Sequence, residues 1–120
     1  MSTLQHELQM VWDAHVAAYK AGDAAGCAAV FTLNGEVHSP YGPPAIGRAV
    51  IEALHVEWVK LGGDHKTLVV EACGGSGDLA WALSRYSEGE ETGNGTNLSV
   101  FERQADGEWL VRVCSLNSSD

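Results

Sequence analysis

The sequence predicts an α+β fold, with helices in its first half and an antiparallel sheet in its second. Two observations carry this. The spacing of apolar residues changes from a period near 3.6 to a period of two at about His65. Each period-two segment then ends at glycine or Asp-Gly, where a hairpin needs positive φ. The length of 120 residues adds a bound, fitting one domain over 1–120.

In the helical half, Leu4, Leu8, Val11, His15 and Ala18 recur at spacings of three and four, flanked by Trp12, Val16 and Tyr19. This is the broad apolar stripe of an amphipathic helix ending at Gly22, with Ser2 and Gln5 forming a capping box. Asp23 is placed to cap a short second helix over 24–31. Asn34-Gly35 reads as a turn and 36–39 as a short extended piece. Pro40, Pro43 and Pro44 exclude regular structure from 40–44. A third helix is expected over 48–61, burying Ile51, Leu54, Trp58 and Leu61 and stopping at Gly62-Gly63. Four strands follow, at 66–73, 79–87, 96–103 and 109–116, connected as an antiparallel meander.

The formal charge of −9 argues against nucleic acid and anionic membranes as partners. No apolar run approaches the roughly 20 residues of a membrane span, and the N-terminus lacks the pattern of a signal peptide. Cys27, Cys73 and Cys114 are odd in number and widely spaced, so neither a disulfide framework nor a zinc motif is indicated. A cytoplasmic protein with reduced thiols is the expectation. In 79–86 and again in the last strand, both alternating sets carry apolar groups. A sheet with one wet face would alternate more cleanly, so a homodimer packed through the sheet face is expected; the alternative is a few singly exposed apolar side chains, which are ordinary.

Several segments fall in an ordered series: Ala17-Ala18-Tyr19-Lys20-Ala21-Gly22-Asp23, Val30-Phe31, Pro43-Pro44-Ala45-Ile46-Gly47-Arg48, Ser76-Gly77-Asp78-Leu79-Ala80-Trp81 and Val100-Phe101-Glu102-Arg103 through Trp109, then 116–120. Together they resemble the ketosteroid isomerase / nuclear transport factor 2-like superfamily over essentially the whole chain, and within it the SnoaL-like, polyketide-cyclase-like branch. The resemblance implies a cone-shaped, cystatin-like fold in which three helices pack on a curved antiparallel sheet. Its open end would be an apolar pocket, and it implies a homodimer.

The resemblance also implies positions for chemistry. The isomerase's carboxylate base corresponds to Ser39, before Pro40, and its two oxyanion donors to His15 and Ser99. All three depart from the family's residues. Serine near neutral pH cannot replace a carboxylate base, so steroid isomerisation by that mechanism is not expected. His15 on the buried stripe is the candidate proton carrier; the competing reading is a core histidine satisfied by a carbonyl or water. His38 lies beside Ser39 and is expected to face solvent, as are His6, His55 and His65.

By alternation, Trp81, Leu83 and Arg85 share one face, Asn97, Ser99 and Phe101 another, and Arg112, Cys114 and Leu116 a third. The resemblance turns all three sets toward the cone. Arg85 or Arg112 would there bind a negative group, with Glu71 the nearest internal partner; otherwise each guanidinium lies outside, paired or solvated. Tyr19 and Trp58 complete the expected pocket wall. Cys114 would be a reactive thiol if Arg112 depressed its pKa, and a buried small hydrophobe otherwise.

The function expected is a small-molecule pocket protein performing cofactor-free isomerisation, cyclisation or dehydration of an apolar, oxygenated ligand. His15, Ser39 and Ser99 would be catalytic, and no metal is expected. The alternative is a non-catalytic ligand-binding or dimeric association domain.

Overall fold

Helix α1 (Thr3–Lys20) buries Leu8, Trp12, His15 and Tyr19, spaced by four, three and four residues along one face. These belong to a computed structural model that describes residues 3–61, 63–89 and 93–119. Helix α2 (Ala24–Ala29) starts at Asp23, whose carboxylate accepts from the Gly26 amide at 2.9 Å. The predicted capping box at Ser2 lies outside the described residues. Strands β1 (Phe31–Ser39) and β2 (Gly42–Ile46) follow, then α3 (Arg48–Val59) and four strands: β3 (Thr67–Ser76), β4 (Leu79–Ser87), β5 (Gly95–Arg103) and β6 (Trp109–Ser118). Among the described residues, no helix is long and apolar enough to cross a membrane.

The α+β plan and the β3–β6 meander stand as predicted, but the sheet has six strands, in the order β2-β1-β6-β5-β4-β3. The segment read as turn plus short extension is a nine-residue strand, irregular between Phe31 and Glu36, that pairs parallel with β6. Pro43 and Pro44, expected to exclude regular structure, lie in β2. They are tolerated because β2 is an edge strand, where a missing amide breaks no second ladder. Helix α3 stops short of its predicted end, and Leu61 is exposed rather than buried.

The sheet curves around α1. Its inner face carries Leu68, Val70, Ala80, Ala82, Tyr86, Phe101, Trp109 and Val111, all buried. Trp12 meets Phe31 and Phe101 edge to face at ring-centroid distances of 6.4 and 5.7 Å. At the other edge of the sheet, the side-chain amide of Gln9 acts as a strand neighbour. Its Nε2 donates to the Leu68 carbonyl at 2.8 Å, and its Oε1 accepts from the Val70 amide at 2.7 Å. Gln5, one turn earlier, donates to the Val70 carbonyl at 3.2 Å. The helix is thereby fastened to a strand edge that would otherwise be open.

Two bulges set which residues face inward. In β6 the pairing shifts between Val100 and Phe101, so Val111 opposes Phe101 while Cys114 opposes Ser99. Both Val111 and Cys114 are buried on the same face, and Arg112 is the extra residue between them. Strict alternation fails here, which is why the last strand looked apolar on both sides. A similar shift in β3 between Val70 and Ala72 leaves Glu71 as the extra residue. The apolar outer face nevertheless persists elsewhere: Val69, Leu79, Trp81, Leu83, Leu98 and Val100 are exposed.

Phe101 is completely buried under Trp12. Phe101→Ala should destabilise the fold by about 3–5 kcal/mol, measured by urea unfolding monitored by circular dichroism.

Candidate functional site

Packing between α1 and the sheet is complete at Leu8 and Trp12 and opens beyond them into a cavity of about 640 Å³. Trp12, Phe31, Val37, Trp58, Leu68 and Leu116 supply apolar wall, while His15, Tyr19, Tyr41, His55, Lys66, Tyr86 and Asn97 supply polar groups. The size and the mixture suit a small organic ligand.

At its centre are two buried imidazoles. His15 Nε2 lies 3.0 Å from His55 Nε2, and His55 Nδ1 lies 2.8 Å from the Ile51 carbonyl. A carbonyl only accepts, so His55 carries its proton on Nδ1 and, when neutral, accepts at Nε2. His15 therefore donates from Nε2, leaving its Nδ1 as an acceptor. That atom is buried and has no hydrogen-bond partner. The pair thus has one unspent acceptor and one proton shared between rings.

The electrostatics keep both rings neutral. Burial is the largest cause holding His15 well below its ordinary value of 6.5, followed by His55 and then Lys66. His55 is lowered by burial and by Lys66, against its bond to the Ile51 carbonyl. Lys66 is itself buried, bonded to Glu88 at 3.1 Å and 4.5 Å from the centre of the Tyr19 ring. Burial also raises the Tyr19 phenol; its hydroxyl donates to the Trp58 carbonyl at 3.1 Å.

On the opposite wall, Asn97 Oδ1 accepts from Ser99 Oγ and from Cys114 Sγ, the latter at 3.4 Å. Two donors on one oxygen fix the amide's orientation, leaving the NH₂ group as what Asn97 can offer a ligand. Tyr41 and Tyr86 share a hydroxyl–hydroxyl bond of 2.9 Å.

Of the residues proposed from sequence, the structure gathers His15, Tyr19, Trp58, Asn97 and Cys114 around this cavity. Ser99 is buried behind Asn97, and Phe101 belongs to the core beneath Trp12. Four residues are on the wrong face for the expected role. Trp81 and Leu83 are exposed on the outside of β4, because the inward set is Ala80, Ala82, Ser84 and Tyr86. Arg85 shares their outer face and pairs with Glu71 at 3.3 Å. Arg112, expelled by the bulge, pairs with Glu36 and Glu102 and donates to the Asn34 carbonyl. It cannot activate Cys114 from there, and burial pushes the Cys114 thiol up to about 11. Ser39 is not in the cavity wall; its hydroxyl accepts from the Tyr41 amide at 3.2 Å in the turn. His38 pairs with Glu36 at 2.9 Å.

His55 is the principal omission, having been expected at the surface. Its position one helical turn after the buried Ile51 was the available signal. Lys66, Tyr41 and Tyr86 were likewise not singled out.

Because the folded chain resists protonating His15 and His55, the unfolded chain binds protons more readily below pH 6.5. Stability should be fully present above that pH and fall as pH is lowered through it, by up to about 1.4 kcal/mol per pH unit for each histidine. Urea midpoints measured between pH 8 and 5 should show this slope, and the His15→Gln/His55→Gln variant should flatten it.

Comparison with known proteins agrees with this architecture. No curated protein matches the chain. A ketosteroid isomerase-like protein from Erwinia carotovora atroseptica superposes with a TM-score of 0.78 at 15% identity, covering 100% of this chain and 99% of that one. A nuclear transport factor 2-like protein with a cystatin-like fold from Novosphingobium aromaticivorans gives 0.78 at 20% identity, over 96% and 81% of the two chains. ActVI-ORFA from Streptomyces coelicolor gives 0.67 at 25% identity, over 97% and 98%. Residues 12–111 match the SnoaL-like domain family. The chain belongs to that family, and it shares its fold with the ketosteroid isomerase-like and nuclear transport factor 2-like structures.

Proposed function

We propose that the protein is a pocket enzyme that moves a proton on an apolar, oxygenated small molecule, in an isomerisation, cyclisation or dehydration. The observation that carries this reading is the His15–His55 pair, two imidazoles 3.0 Å apart in the wall of the cavity. Rings kept neutral by burial are available as bases at neutral pH. A proton taken up by one ring can be passed to the other across the Nε2–Nε2 contact, so the charge is shared by two rings. His55 is the second base position that takes over from the missing carboxylate, and Ser39 has no part in the reaction.

Oxygen atoms of the ligand are received by the Asn97 amide and by the Tyr41–Tyr86 hydroxyl pair, with Ser99 and Cys114 acting through Asn97 as positioning residues. Lys66 adds positive charge where an enolate oxygen would develop, and Tyr19 and Trp58 shape the wall beside it.

The test is solvent deuterium incorporation into an enolisable bicyclic ketone such as 1-tetralone, followed by NMR. The native protein should accelerate exchange, and His15→Ala and His55→Ala should each lower that acceleration at least about 100-fold. Binding of the ketone without acceleration, seen by native mass spectrometry, would instead favour a ligand-binding domain.

We further propose that two copies associate through the outer face of the sheet, in the cytoplasm. Trp81 opposes Val100 and Leu83 opposes Leu98, making one apolar patch, and Val69 extends the exposed apolar surface onto β3. The neighbouring charges are already matched as Arg85–Glu71 and Arg112–Glu102, so two acidic chains meet there without bringing unpaired like charges together. Sedimentation velocity at micromolar concentration should give twice the chain mass of 12.7 kDa, and Trp81→Glu should give the single-chain mass.

A further inference from the structure

Three helices converge at one point at the cavity wall. α1 brings His15, α2 brings Cys27 and α3 brings His55; one donor atom from each lies within 4.8 Å of the other two. All three residues are buried, Cys27 completely. Among the described residues the Cys27 thiol makes one hydrogen bond, at 3.9 Å to the His15 carbonyl oxygen. Hydrophobic packing gives no reason to collect two imidazoles and a thiol in one place.

We propose that His15, Cys27 and His55 form a three-ligand site for a thiophilic divalent ion of the zinc type, with its fourth position open to the cavity. His55 has only Nε2 to offer, because Nδ1 is committed to the Ile51 carbonyl. A bond from the far ring nitrogen to a carbonyl is the kind that orients a metal-binding imidazole. His15 supplies Nε2 once its proton moves to Nδ1, a change of tautomer with no net proton transfer. Cys27 supplies a thiolate, so one proton leaves for each ion bound.

Tetrahedral zinc, with Zn–N near 2.0–2.1 Å and Zn–S near 2.3 Å, requires ligand atoms roughly 3.3–3.6 Å apart. The nitrogens already stand 3.0 Å apart, and a shift of the Cys27 thiol of about an ångström closes the set. One thiolate with two imidazoles selects zinc over magnesium or calcium. The nearest cation, Lys66, is held by Glu88. His15 and His55 line the cavity, the route by which water or a ligand oxygen would reach the fourth position.

The ion would occupy the place of the proton that the two histidines share, so metal binding and the proposed proton transfer exclude one another. The test uses untagged, metal-free protein titrated with Zn²⁺ against a chromophoric chelator, and separately with Co²⁺ as a spectroscopic probe. The expected results are one equivalent bound and a cobalt–thiolate charge-transfer band. Cys27→Ser and Cys27→Ala should each lose affinity by more than about 100-fold, above the range for changes to groups that only orient a ligand, while His6→Ala binds as the native chain does. The site is overturned by substoichiometric binding, by a cobalt spectrum without thiolate character, or by affinity unchanged in both Cys27 variants.

The ketone-exchange assay separates this site from the enzyme reading. Zn²⁺ should suppress exchange in the native protein but not in Cys27→Ser. Stoichiometric, Cys27-dependent metal binding with no exchange activity in the metal-free protein would sustain the site and remove the reaction; exchange indifferent to saturating Zn²⁺ would remove the site.

Discussion

Everything in this molecule depends on how α1 is gripped by the sheet. One end of the helix is fixed by matched shape, with Leu8 and Trp12 buried against Phe31 and Phe101. Along its side, Gln5 and Gln9 bond to the backbone of β3 as a further strand would. With its axis held at both places, the following turn cannot retreat into solvent. His15 and Tyr19 are therefore kept in the interior, although each brings polar atoms that water would welcome. Burial of a polar group is costly unless its bonds are replaced. Here the replacements come from α3, through His55 for His15 and the Trp58 carbonyl for Tyr19. Site and scaffold are thus one arrangement: the core packing of α1 obliges a polar interior one turn later, and α3 answers it.

How much of this was legible in the sequence divides along physical lines. Properties set by local period were readable: the amphipathic stripe of α1, the Asp23 cap, and the hairpins of the meander. Properties set by non-local pairing were not. Nothing near Asn34-Gly35 announces that 31–39 will lie beside β6, because a parallel partner far along the chain leaves no local turn signal. The same limit explains Pro43 and Pro44, whose tolerance depends on β2 being at an edge.

The candidate site shows the distinction more sharply. His15 was recognisable because the α1 stripe is long and regular. His55 lies on a shorter helix whose buried side is shared with Leu54 and Trp58, only partly covered, so its inward position is visible only once the cavity is seen. The two arginines lie outside for different reasons. In β6 a bulge breaks two-residue alternation and turns Arg112 out; β4 is regular, and of its two apolar faces the one with Ala80, Ala82 and Tyr86 turns inward, leaving Arg85 outside. In β6 a charged residue among apolar neighbours marked the bulge itself: Arg112 is the residue the ladder leaves out, as Glu71 is in β3.

The parallel contact between β1 and β6 bears on the order of assembly. It joins segments far apart along the chain, as when Arg112 bonds to the carbonyl of Asn34, 78 positions earlier. That seam lies inside the sheet, between β2-β1 and β5-β4-β3. During synthesis β1 must wait, with its parallel edge unpaired, until β6 has been made. Closing so wide a loop is an entropic cost met before any of its contacts are gained. Until that pairing is made, the β1 edge of the nascent chain is open to chaperones and to unwanted partners.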